Sequence, residues 1–118
     1  MPDLPIFVYG TLRRGEGSHV LLDGCACLGE AATRAEFDLV DLGAYPALCA
    51  PGATAVKGEL YTVDPTTLRR LDDYEGCPDL YQRVAIELAD GRAAQTYVMA
   101  ADRARPYPRI ASGDWRSR

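Results

Sequence analysis

Residues 4–9 form an unbroken apolar, β-prone run that stops at Gly10, as a buried strand closing in a glycine turn would. Residues 11–17 are basic and glycine-bearing and read as a loop. Residues 18–22 then fit a short helix with Ser18 as its N-cap. Between 27 and 42, one phase carries Ala31, Thr33, Ala35, Phe37, Leu39 and Asp41, which predicts a strand pair across this stretch. Residues 43–48 read as a turn leading into an extended piece, and Pro51-Gly52 as a second turn. Alternation returns over 56–63, where Gly58 marks a place at which another backbone or a ligand comes close.

The clearest helix follows. Asp64 is a good N-cap, and Pro65 at the first helical position loses no hydrogen bond by lacking an N–H. The helix is predicted from 65 to about 75, with Gly76 and Pro78 as stop signals. Residues 81–88 alternate, Asp90-Gly91 is a hairpin signal, and 92–99 return as the partner strand. The tail from 100 onward is polar, with Trp115 as one large apolar anchor. These elements sum to five or six strands, one clear helix and one or two short ones. That predicts an α+β fold whose mostly antiparallel or mixed sheet could close on itself. A length of 118 residues fits one domain, 1–118, with enough chain to bury a core.

One polar position breaks the helical pattern. Leu68 and Leu71 define the buried stripe, and Glu75, four residues further on, continues it. A carboxylate on a core-facing stripe is costly unless it is paired, hydrogen-bonded or protonated. The helix C-terminus adds a dipole that disfavours negative charge there. Both effects raise a carboxyl pKa, which is how a general base is tuned toward neutral pH. Two plainer readings stay open: a solvated residue past an early helix end, or a structural ion pair with Arg83.

Composition narrows the class. A net charge of −4 argues against binding nucleic acid or an anionic membrane. No apolar run approaches the ~20 residues of a membrane helix. The start, Met1-Pro2-Asp3-Leu4-Pro5, lacks a secretory pattern, so the expected compartment is the cytoplasm. Cys25 and Cys27 are too closely spaced for a zinc knuckle, and with Cys49, Cys77 and the single His19 they make no metal set. They read as small buried or half-buried thiols.

The segment Phe7-Val8-Tyr9-Gly10-Thr11-Leu12-Arg13-Arg14-Gly15 closely resembles the signature of the γ-glutamylcyclotransferase-like family, in its small AIG2-like, γ-glutamylamine cyclotransferase branch. Gly43-Ala44-Tyr45-Pro46-Ala47-Leu48 is similar to that family's second motif, and Val56-Lys57-Gly58-Glu59-Leu60-Tyr61 to its third. Leu71-Asp72-Asp73-Tyr74-Glu75-Gly76, followed by Tyr81-Gln82-Arg83, resembles its acidic motif. Ser112-Gly113-Asp114-Trp115 is similar to a common ending in bacterial members. The resemblance runs in order along nearly the whole chain.

It implies a small mixed, mostly antiparallel β-barrel flanked by short helices, with a cavity at one end. It also implies a cofactor-independent enzyme that cyclises the glutamyl group of a small γ-glutamyl amide to 5-oxoproline, releasing an amine or amino acid. Glu75 matches the general base, and Tyr9, Gly10, Thr11 and Leu12 match the turn that holds the glutamyl part. No metal is expected. The alternatives are a carboxylate-binding module without catalysis, or γ-glutamyl or amine transfer on the same fold.

Other residues carry weaker signals. Tyr9 either donates a hydrogen bond in the cavity or packs as a strand-end aromatic. Tyr81 shares a strand phase with Arg83, and Tyr81 is expected to line the cavity near Glu75, with Arg83 structural. Arg13 and Arg14 read as a solvated loop that could attract an acidic substrate, and His19 as a surface or capping residue. Tyr45-Pro46 is a place to look for a cis bond, with trans the expectation.

Overall fold

The computed structural model describes residues 3–118. Met1 and Pro2, part of the segment read above for a leader, lie outside the described residues. The strands are β1 (Leu4–Val8), β2 (Ala26–Ala32), β3 (Phe37–Asp41), β4 (Pro46–Thr54), β5 (Lys57–Val63), β6 (Gln82–Glu87) and β7 (Ala93–Val98). The helices are α1 (Pro65–Tyr74) and the single turn α2 (Ala101–Ala104), with 3-10 turns at His19–Leu22 and Trp115–Ser117. No helix among the described residues is long and apolar enough to cross a membrane.

All seven strands belong to one sheet, in the order β2-β5-β1-β7-β4-β3, with β6 branching from β7. The β1–β5, β2–β5, β3–β4 and β6–β7 pairs are antiparallel, while β7 runs parallel to β1 and β4. The fold is therefore α+β, with a mixed and mostly antiparallel sheet. The expected barrel becomes a curled open sheet. The strand ladders end at β2 and β3, and one isolated bridge, Thr33 to Leu88, joins the ends of β2 and β6. Thr33 is itself tied to Val56 through its N–H at 2.9 Å and its Oγ1 at 3.0 Å. The Ala89 N–H also donates to Ala32 O at 2.9 Å, so the two strand ends touch without forming a ladder.

Burial explains the sequence pattern of β1. Ile6 and Val8 enter the cluster that includes Leu68, Leu71 and Tyr97, whereas Phe7 and Tyr9 enter the opposite one, with Leu39, Leu48 and Trp115. A strand buried on both faces reads as a continuous apolar run rather than an alternation. Gly58 answers the expected close approach: a Cβ there would lie 2.1 Å from the Val8 carbonyl oxygen.

The α1 helix forms for the local reasons given. The Asp64 side chain accepts from the Thr67 N–H at 2.6 Å, Pro65 occupies the first position, and Leu68 and Leu71 are buried. Two expectations fail. β2 and β3 do form, but they do not pair: β2 lies on β5 and β3 on β4. The cause is Thr33, whose bonds to Val56 lead the chain away from a hairpin. Pro51-Gly52 is not a turn but part of β4, at a register shift where the Gly52 N–H donates to Glu36 O at 2.9 Å. The bonds Ala50–Pro51 and Cys77–Pro78 are cis, and Tyr45–Pro46 is trans.

Candidate active site

A cavity of about 220 Å³ opens where the turn after β1 meets the end of α1. Tyr9, Gly10, Thr11, Leu12, Glu75 and Tyr81, the six site residues expected from the sequence, all line it. Tyr45, Pro46, Tyr74, Leu80 and Tyr97 complete most of the wall.

Glu75 caps the C-terminus of α1, with its N–H on Leu71 O at 2.9 Å. It is half-buried, not a solvated end. Burial alone pushes its carboxyl up to about 7. No side-chain hydrogen bond or ion pair among the described residues ends on it. The ion pair with Arg83 does not form, because Arg83 is bonded to Asp72 at 3.0 Å and to Gln95.

Five tyrosines line the cavity, and the buried hydroxyls of Tyr9, Tyr81 and Tyr97 are already committed. Tyr9 donates to Tyr97 O at 2.7 Å and accepts from the Leu48 N–H at 3.1 Å. Tyr81 donates to Pro46 O at 2.8 Å, and Tyr97 donates to Asp72 Oδ1 at 2.6 Å. Burial raises all three phenols, so they stay protonated. Tyr9 therefore lines the cavity with its ring while its hydroxyl joins β7 to β4. None of these three phenol protons is left over to neutralise Glu75.

The 10–12 turn is held by the cavity wall at Pro46 and by bonds to the loop that follows it. A Cβ on Gly10 would lie 2.5 Å from Pro46 Cγ, so only glycine lets these two segments touch. Gly10 O accepts from the Arg13 N–H at 3.0 Å, and Thr11 O from the Ser18 N–H at 3.0 Å. Leu12 O accepts from His19 Nδ1 at 2.9 Å; since a carbonyl only accepts, that nitrogen carries the proton. The three carbonyls are thus spent inside the protein. Among the hydrogen bonds of the described residues outside helices and strands, none is donated by the N–H of Gly10, Thr11 or Leu12. Backbone N–H groups in such a turn suit a carboxylate or a developing oxyanion.

Arg13 corrects the solvated-loop expectation. It is 5% exposed, with Nε 3.2 Å from Glu59 and Nη1 3.0 Å from Asp114. Burial would raise Glu59, but the Arg14 N–H, the Tyr61 hydroxyl and Arg13 together hold its carboxyl low. The pair anchors the turn from behind and offers no charge to the cavity. His19 is not a free surface residue either, since it buttresses Leu12. Sequence reasoning also missed Tyr74, whose hydroxyl meets Ser18 and Thr11. Its adjacency to Glu75 was the available signal.

All four cysteines are free, and Cys27 is exposed rather than buried or half-buried, because it lies on the outer strand β2. No group of three metal-ligating side chains is found among the described residues.

The family described as gamma-glutamyl cyclotransferase, AIG2-like, matches residues 6–117. The chain belongs to this family. As an AIG2-like chain it is 44% identical over 110 residues to a Vibrio cholerae serotype O1 protein named as a candidate γ-glutamylcyclotransferase, covering 93% of each. It is 47% identical over 92 residues to a Rattus norvegicus γ-glutamylaminecyclotransferase, covering 70% of this chain and 62% of that one. The AIG2-like chain thus spans less than two thirds of that mammalian relative. The crystal structure of an AIG2-like protein from Mus musculus superposes with a TM-score of 0.84 at 37% identity, over 97% of this chain and 90% of that one.

Proposed function

We propose that this AIG2-like chain is a γ-glutamylcyclotransferase acting on a small γ-glutamyl amide. The observation that carries this reading is the pairing, in one cavity, of an unbonded carboxyl raised to about 7 by burial with the 10–12 turn. The substrate's free α-amine attacks its own γ-carbonyl carbon. Glu75 takes a proton from that nitrogen as the new C–N bond forms. The oxyanion that develops is met by N–H groups of the 10–12 turn. The old C–N bond then breaks, and Glu75 returns its proton to the departing nitrogen. The products are 5-oxoproline and an amine. A carboxyl that titrates near neutrality can both accept and return the proton. Because the attack is intramolecular, most of the remaining task is to hold the glutamyl chain folded back.

The leaving group is read as an amine rather than an amino acid. The cavity lining holds no Lys or Arg, so no cation waits for a second carboxylate. The name of the rat relative, a γ-glutamylaminecyclotransferase, agrees with this choice. Tyr9 and Tyr81 contribute ring surface to the glutamyl site. The chain acts as a single domain in the cytoplasm, where four free thiols suit a reducing compartment, and its net negative charge suits a small-molecule partner rather than nucleic acid.

The test is to supply γ-glutamyl-amines and γ-glutamyl-amino acids and measure 5-oxoproline. Wild type should turn over the amines, and Glu75→Gln should lose most of the activity. Equal turnover by Glu75→Gln rules out the general base. No product with any substrate, together with stabilisation of Glu75→Gln by a bound carboxylate, would favour a binding module instead.

A further inference from the structure

Tyr74 is the last residue of α1 and the neighbour of Glu75. Its ring lines the cavity, and the residue is 46% exposed. Its hydroxyl lies 2.6 Å from Ser18 Oγ and 3.1 Å from Thr11 Oγ1. One phenol therefore reaches from the helix end to the middle of the 10–12 turn, across 63 residues of sequence. Among the described residues, every side-chain hydrogen bond between residues 10–18 and α1 passes through this hydroxyl.

The two bodies it joins are each held by other contacts. Helix α1 is held to the sheet by buried Leu71 and by Asp72, which accepts from Arg83 and Tyr97. The turn is held by Pro46, by Arg13 and by His19. Between them, over the cavity, the bond passes through Tyr74. Water competes for a hydrogen bond at such an exposed place, so it contributes little to folding. Its consequence is geometric. A shift of about 1 Å between reacting groups can cost up to ~100-fold in rate.

We infer that Tyr74 is a positioning residue: its hydroxyl, bridging Ser18 and Thr11, sets the separation between Glu75 and the 10–12 turn. This rests on the proposed cyclisation, in which Glu75 and that turn act on opposite sides of one reacting carbon.

The experiment compares wild type with Tyr74→Phe, which keeps the ring and removes the bridge. With a γ-glutamyl amine as substrate, kcat falls about tenfold while KM stays within about twofold. The melting temperature is unchanged. The acid limb of the pH profile does not move, because the Tyr74 ring stays in the cavity wall. Ser18→Ala lowers kcat in the same direction, and adding it to Tyr74→Phe has little further effect. Amide hydrogen exchange at Arg13 and Ser18, whose N–H groups are bonded to Gly10 O and Thr11 O, speeds up in Tyr74→Phe. Wild-type kcat in that variant, a kcat loss matched by a lower melting temperature, or unaltered exchange would each overturn the assignment. If wild type itself makes no 5-oxoproline, the proposed reaction fails, and the exchange measurement alone decides whether Tyr74 holds the turn.

Discussion

Arg83 bonds Asp72 at 3.0 Å rather than Glu75, and that choice of partner leaves the Glu75 carboxyl without a cation. Asp72 also accepts from Tyr97, so the guanidinium and the Tyr97 phenol proton are both drawn to one carboxylate. Glu75 is left with desolvation alone, which raises its pKa to about 7.

The first prediction concerns pH. The proposed cyclisation requires the base form of Glu75, so kcat/KM should rise with pH along an acid limb near 7. Stability should move the other way. Between about 4.5 and about 7 the folded state keeps a proton on Glu75 that the unfolded state has released, so folding loses stability as pH rises through that window. Urea unfolding of wild type and Glu75→Gln at pH 5 and pH 8 measures this. The variant should gain on wild type by about 1–3 kcal/mol between the two. A constant difference would show that the carboxyl is not raised.

A second prediction rests on the contact between Gly10 and Pro46. Gly10→Ala places a methyl group where only 2.5 Å is available to Pro46 Cγ. The turn must shift, at a cost of about 1–3 kcal/mol, and kcat must fall with it. Adding Pro46→Ala should restore part of the stability, as read by thermal melting.

The third prediction uses the buried ion pair. Arg13→Met leaves Glu59, 7% exposed, and Asp114 without their shared cation. Removing one partner of such a pair typically costs about 3–5 kcal/mol. Chemical denaturation should show a loss of that order, with no change in the sign of substrate preference.

The fourth prediction concerns the leaving group. Leu80 lines the cavity and is partly exposed, so Leu80→Arg adds a cation to a wall that has none. KM for γ-glutamyl-amino acids should fall by about tenfold relative to γ-glutamyl-amines. An unchanged ratio would mean that the amino-acid carboxylate does not reach this wall.

The features that could be read in advance were local ones. The α1 helix depends on Asp64, Pro65 and a leucine spacing, all within a few residues, and it forms where expected. The β6–β7 hairpin follows from Asp90-Gly91 in the same way. The pattern shows β2 and β3 as strands but not their partners, and the deciding bonds run from Thr33 to Val56. Glu75 was visible because one polar residue on an apolar stripe is conspicuous. Arg13 was not, because its partners Glu59 and Asp114 lie 46 and 101 residues away, and nothing nearby distinguishes it from a solvated arginine.

That last distance has a bearing on how the protein is made. Arg13 waits for Asp114, and Glu16 for Arg116, which also donates to Arg14 O. The segment that clamps the first loop leaves the ribosome about a hundred residues after it. Translation proceeds at roughly 5–20 residues per second, so the loop spends seconds as a nascent chain with its guanidinium only half satisfied. The first loop gains its last clamp only after Asp114 and Arg116 have been made, long after its own residues.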